Sequence, residues 1–175
     1  MTPVARLRAA TAPSHDMVDA AFGHHDLTKA ADYSRFLIAH ALALPAAERQ
    51  FATMDRLPPW RIRTPLLLAD LQDLGHALPT PLAFTLPDMA GAAWGALYVT
   101  EGSRLGGIML ARSVDPSLPT RYLGAKHESG EWRGLLAAID AEGERQGEAW
   151  IDGAIAGAEI CFTLYRHAAA RIATR

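Results

Sequence analysis

Apolar residues recur through this chain at intervals of three and four, and no segment of four to eight residues alternates apolar with polar between turn signals. That pattern restricts the fold to packed helices. Half of the 175 residues are apolar, enough for one hydrophobic core without a staple. The expected fold is therefore all-α, a single-domain helical bundle over residues 1–175. The lone cysteine, Cys161, excludes a disulfide framework and any CxxC metal site, and on its apolar helical stripe it reads as inert packing. A formal charge of −2, with acids and bases mixed along the chain, argues against a nucleic-acid partner. No run approaches the roughly 18 apolar residues of a membrane span, and Met1–Asp16 lacks the apolar stretch of a secretory leader. The expected setting is the cytoplasm.

The boundaries follow from caps and prolines. Asp32 is placed to cap a helix through Tyr33, Phe36, Leu37, His40 and Leu44, which Pro45 interrupts before a second segment, Ala46–Arg56. Thr64-Pro65 reads as an N-cap followed by a first-turn proline, opening a helix that stops at Gly75. Asp88 opens a long apolar helix from Met89 to Val114, and Asp115–Gly130 is a loop. Glu131–Glu142 and Glu148–Ile172 are the last two helices, the final one carrying a stripe of Ile151, Ile155, Ala158, Glu159, Phe162, Tyr165 and Ala169. Pro13 conflicts with its helical surroundings, since an interior proline costs about 3 kcal/mol. That helix either begins near Pro13 or is kinked there.

The long apolar helix contains Gly95, Gly102, Gly106 and Gly107. An interior glycine costs about 1 kcal/mol relative to alanine, so the cluster needs a reason. Gly102 and Gly106 share one face, with Gly107 beside them. Two readings stand: close helix–helix packing of the small-xxx-small kind, or a helix lying across a flat ligand. The glycines match neither a dinucleotide fingerprint nor a phosphate loop.

Of seven histidines, His15 has the best surroundings. It lies on the stripe Leu7, Thr11, His15, Val18, Phe22, and Asp19 follows at i+4, where a carboxylate can take its second N–H and fix the tautomer. An ordinary exposed pair is the alternative. His24 and His25 read as surface histidines at a helix end. Asp73-xx-His76 is half of a di-iron pattern whose Glu-xx-His partners are absent from the sequence. The acid pairs Glu128/Glu131 and Glu142/Glu144 lie in polar contexts that do not tune a carboxylate for acid–base work.

Two motifs together resemble a known family. Thr11-Ala12-Pro13-Ser14-His15-Asp16-Met17-Val18-Asp19 is similar to the proximal helix of bacterial haem oxygenases, and Gly95-Ala96-Leu97-Tyr98-Val99-Thr100-Glu101-Gly102-Ser103-Arg104-Leu105-Gly106-Gly107 to their distal helix. Weaker likenesses follow in order at Leu71-Gln72-Asp73-Leu74-Gly75, Glu131-Trp132-Arg133 and Gly157–Tyr165, so the resemblance spans about Leu7 to Tyr165. It implies a bundle holding haem between the first helix and a kinked distal helix. His15 would be the axial iron ligand and Asp19 its hydrogen-bond partner. Arg8 and Tyr98 would meet the propionates, as in members that cut at the α-meso carbon, and Gly102, Ser103, Gly106 and Gly107 would lie over the ring.

The reaction implied is O₂- and electron-dependent cleavage of haem to biliverdin, carbon monoxide and ferrous iron, with haem as both substrate and cofactor. An external electron donor is required, and a monomer is expected. Many members carry aspartate after the first distal glycine where this chain has Ser103, which leaves the proton relay unassigned. The alternatives are a haem sensor or carrier without turnover, a different enzyme on the same scaffold, and a helical adaptor whose glycine face is a protein interface.

Overall fold

The computed structural model describes residues 1–173. Six helices follow one another: α1 (Pro3–Phe22), α2 (Ala30–Ala52), α3 (Thr64–Asp73), α4 (Ala92–Ala111), α5 (Glu131–Gln146) and α6 (Glu148–Ala173). There is no strand among the described residues, and no helix there is long and apolar enough to cross a membrane. Helix α6 is the hub, packing on α4, α1 and α2, while α5 closes one side against α1 and α4. Leu7, Phe36, Leu37, Leu44, Leu97 and Leu67 are sealed from solvent, each worth about 1.5–3 kcal/mol of transfer free energy.

Both interior prolines sit inside unbroken helices. Helix α1 starts at Pro3, with the Thr2 hydroxyl accepting from Ala5 N–H at 3.2 Å, and runs through Pro13 on its exposed face, where the carbonyl of the exposed Ala9 loses its helical donor. In α2, Pro45 does not divide the helix. Leu42 to Ala47 are all buried, and that packing overrides the local penalty. The Pro-rich connector docks beside it, Leu82 N–H donating to the Leu42 carbonyl at 2.8 Å.

Other boundaries move for identifiable reasons. Asp32 lies in the first turn of α2, after Lys29 at the cap; its carboxylate accepts from Asp26 N–H at 2.6 Å and lies 2.9 Å from His25 Nδ1. His25 is therefore a buried ring and not a surface one, its side chain 4% exposed. Thr64 is the first residue of α3 and not its cap, because Glu48 of α2 takes that role. Its carboxylate accepts from Arg63 N–H (2.7 Å), Thr64 N–H (3.1 Å) and the Thr64 hydroxyl (2.5 Å). The end of α3 is as expected: Gly75 is left-handed at φ 82°, and His76 N–H closes back on the Leu71 carbonyl at 2.8 Å. Helix α4 begins at Ala92 instead of Met89, since Gly91 at φ 86° turns the chain first.

The glycines divide between the two readings. Gly95 belongs to packing: a Cβ there would enter the Ala154 carbonyl of α6. Gly153 and Gly157 on α6 reciprocate against the carbonyls of Ala90 and Ala92. Gly106 faces open space. This sets opposite signs for one kind of substitution. Gly157→Ala should destabilise by about 1–3 kcal/mol by overpacking, against its helical preference. Gly134→Ala, exposed in α5 with nothing near its Cβ position, should stabilise by about 0.4–1 kcal/mol. Urea unfolding of the two variants checks both signs.

Candidate active site

Because α6 holds α1 and α4 on neighbouring sides of the core, the C-terminal half of α4 lies across from α1 and a cavity of about 410 Å³ separates them. Ligand pockets run about 300–1,000 Å³. All eight residues singled out from the sequence line it: Arg8, His15 and Asp19 from α1, and Tyr98, Gly102, Ser103, Gly106 and Gly107 from α4. Phe22, Phe36 and Phe162 add apolar walls, and Trp132 of α5 closes one side.

On the α1 side, His15 Nδ1 stands 3.3 Å from Asp19 Oδ2, and the ring meets Phe162 edge-on at 6.0 Å. A carboxylate beside Nδ1 favours the proton there and leaves the Nε2 lone pair free. On the α4 side, Gly106 presents bare backbone, while Gly102 backs onto the Trp132 indole and Gly107 onto the Leu123 carbonyl. Arg8 and Tyr98 have polar ends without a protein hydrogen-bond partner among the described residues. By contrast, nearby Arg6 is spent on Glu148 at 2.6 Å.

The inner end of the cavity is polar and was not anticipated from the sequence. Arg63 is buried just before α3; its Nη2 donates to the Thr100 carbonyl (2.5 Å) and the Ser103 hydroxyl (2.9 Å), and its guanidinium lies 5.4 Å over the Tyr122 ring. His40 Nδ1 and the Tyr122 hydroxyl are 2.7 Å apart. The buried Arg63 Nε and Tyr165 hydroxyl have no hydrogen-bond partner among the described residues. Burial pushes the Tyr122 and Tyr165 hydroxyls up, so both remain protonated. Burial likewise pushes the Cys161 thiol up to about 12, consistent with inert packing. His40 was visible as part of the α2 stripe, but nothing local distinguishes Arg63 or Tyr122 from a surface arginine and a loop tyrosine.

Among the described residues no group of three or more His, Cys, Asp or Glu could hold a metal ion. The cavity is walled mainly by apolar and aromatic side chains, with His15 and Arg8 on its α1 side and Tyr98 on its α4 side.

No family model matches the chain. A protein named heme oxygenase from Xanthomonas campestris pv. campestris (strain 8004) is 37% identical over 110 residues, covering 59% of this chain and 64% of that relative, just under two thirds of its length. The fold matches a crystal structure of the NO- and CO-bound heme oxygenase from Neisseria meningitidis with a TM-score of 0.79 and 25% identity, over 98% of this chain and 92% of that one. The chain thus resembles haem oxygenases, in sequence over part of its length and in fold over nearly all of it.

Ser103 lines the cavity beside the buried Arg63. The hydroxyl donates to the Thr100 carbonyl at 2.6 Å and accepts from Arg63, so it ties a buried cation to α4. Burial first, and that cation second, hold the His40 imidazole down to about 3 from its usual 6.5. The sign is fixed: below pH 6.5 the unfolded chain takes up a proton that folded His40 refuses, so its contribution to stability is lost as the pH falls from about 6.5 towards 3. We predict that His40 in the folded protein stays neutral at pH 5 in ¹⁵N-resolved NMR; a titration midpoint near 6.5 would contradict the buried site.

Proposed function

We propose that this chain is a haem oxygenase, binding haem between α1 and α4 and cleaving it with O₂ and electrons to biliverdin, carbon monoxide and ferrous iron. The observation that carries the reading is one cavity that sets a free histidine nitrogen on α1 opposite the bare Gly106 backbone of α4. Haem is here the substrate, and its iron supplies the affinity for O₂ and for electrons.

Each site residue then has a task set by its chemistry. His15 offers Nε2 as a neutral axial ligand, and Asp19 keeps the Nδ1 proton in place and raises the ring's basicity. Arg8 takes a propionate with a charge-assisted pair of hydrogen bonds, and Tyr98 donates its hydroxyl to a propionate. Gly106 keeps side-chain bulk off the reacting face, while Gly102 and Gly107 let Trp132 and Leu123 close in behind α4 and Ser103 turns its hydroxyl to Thr100 and Arg63. The Ser103 hydroxyl proton is committed to Thr100, so proton supply falls to the inner end. Arg63 Nε and the Tyr165 hydroxyl are buried donors with capacity to order water there, next to the His40–Tyr122 pair. The electrons come from an external donor, and the reading is of a cytoplasmic monomer.

Mixing the purified protein with hemin and adding ascorbate in air tests this directly. The expected result is loss of the Soret band with growth of the broad red absorbance of biliverdin. A Soret band that shifts on binding and then persists would instead mark a carrier or sensor. Arg8→Gln should weaken hemin binding roughly tenfold, the lower end of a hydrogen bond to a charged group, because this arginine is exposed. Unchanged affinity together with an unchanged product isomer would remove Arg8 from the site.

A further inference from the structure

Three rings are stacked along one side of the cavity. Trp132 of α5 lies nearly parallel to Tyr98 of α4, centroids 5.7 Å apart at 29°, and His127 covers its other side at 5.6 Å and 27°. The far end of the stack lies against buried charge. The His127 ring is 8% exposed with Nε2 3.3 Å from Glu101, whose carboxylate accepts from Arg104 Nε at 2.8 Å. Arg104 is itself buried and donates to the Ala125 carbonyl at 3.1 Å, tying the loop that carries His127 to α4. The near end of the stack, the Tyr98 phenol, opens on the cavity. The tip of the indole stands 3.4 Å from where a Gly102 Cβ would sit. Trp132 thus packs on a residue at the cavity edge and occupies the space beside Gly102 in its roof, while taking no part in iron ligation or the inner polar cluster.

A planar ligand held by a single nitrogen is free to turn about that bond. What stops it is contact at the rim. Arg8 alone is a flexible side chain on one helix, and the Tyr98 ring has a defined direction only while Trp132 lies against it. The four meso carbons of the porphyrin are chemically similar, so the in-plane angle decides which one lies beneath the open stretch of α4. We infer that Trp132 is a positioning residue that sets the in-plane seating of the tetrapyrrole and thereby which meso carbon is cleaved. The inference rests on the oxygenase reading above and deepens it.

The test compares hemin complexes of the wild type, Trp132→Leu and Trp132→Phe. Leucine keeps an apolar contact at this partly buried site without a ring to stack, and phenylalanine restores the ring. The first readout needs no turnover: the porphyrin methyl signals in the proton NMR spectrum of the ferric complex. The second is the isomer composition of biliverdin. The wild type and Trp132→Phe should give one set of methyl signals and one isomer. Trp132→Leu should give a second set and a second isomer, each at about one tenth or more of the total, as when a preference falls to about tenfold. A single, wild-type set of signals and a single isomer from Trp132→Leu would overturn the inference alone. Wild-type protein that takes up no hemin would overturn it together with the oxygenase reading. Wild-type protein that seats hemin in one orientation but releases no biliverdin overturns only the catalysis, and the NMR comparison still decides the role of Trp132.

Discussion

Helices α4 and α6 meet backbone to backbone at Gly95 and Gly157, with Gly153 of α6 against Ala90 just before α4, and the rest of the molecule is arranged around that contact. No side chain separates the two axes there, so the N-terminal half of α4 has one position relative to α6. Gly106 lies eleven residues further on, about 16 Å along the helix at 1.5 Å per residue. Over that distance α4 passes from the core to a cavity shared with α1. One residue type serves two ends of one helix by the same physics: the missing Cβ admits a neighbouring backbone at Gly95 and leaves open space at Gly106.

The irregular segments are held by buried charge in addition to the apolar packing of Leu86, Val114 and Leu123. Glu48 receives the N-terminus of α3, Asp70 receives the backbone of Arg121 and Tyr122, and Arg104 gathers the segments around Arg61 and Ala125. Each carboxylate or guanidinium is matched by several partners, which is the condition under which a buried charge is tolerated. The consequence is functional. Arg63 and Tyr122 reach the inner end of the cavity only because these pairs fix two stretches of chain that have no regular structure of their own.

This also separates what the sequence made legible from what it did not. Helix identities, the all-α architecture, the His15–Asp19 pair and the glycine face of α4 are readable from spacing within one helix, whereas Arg8, Tyr98 and Ser103 enter only with the family resemblance. His15 with Asp19, or Gly102 with Gly106, is an i, i+4 relation. Asp32 and Thr64 read as caps by local rules, but remote partners redirect them: Asp32 turns to His25 and Asp26, and Glu48 caps α3 in place of Thr64. Pro45 reads as a break until its burial is known. Arg63, Tyr122 and the His127–Trp132–Tyr98 stack depend on contacts between segments far apart in the chain, for which a single sequence carries no periodicity.

The proposed function requires one bond, from His15 Nε2 to the iron of a haem lying between α1 and α4. Resonance Raman spectroscopy of the ferrous hemin complex tests it most directly. An iron–histidine stretching band that shifts with iron isotope is expected, and it should be absent from His15→Ala. The same band persisting in His15→Ala would show that another residue holds the iron and would contradict a proximal site on α1.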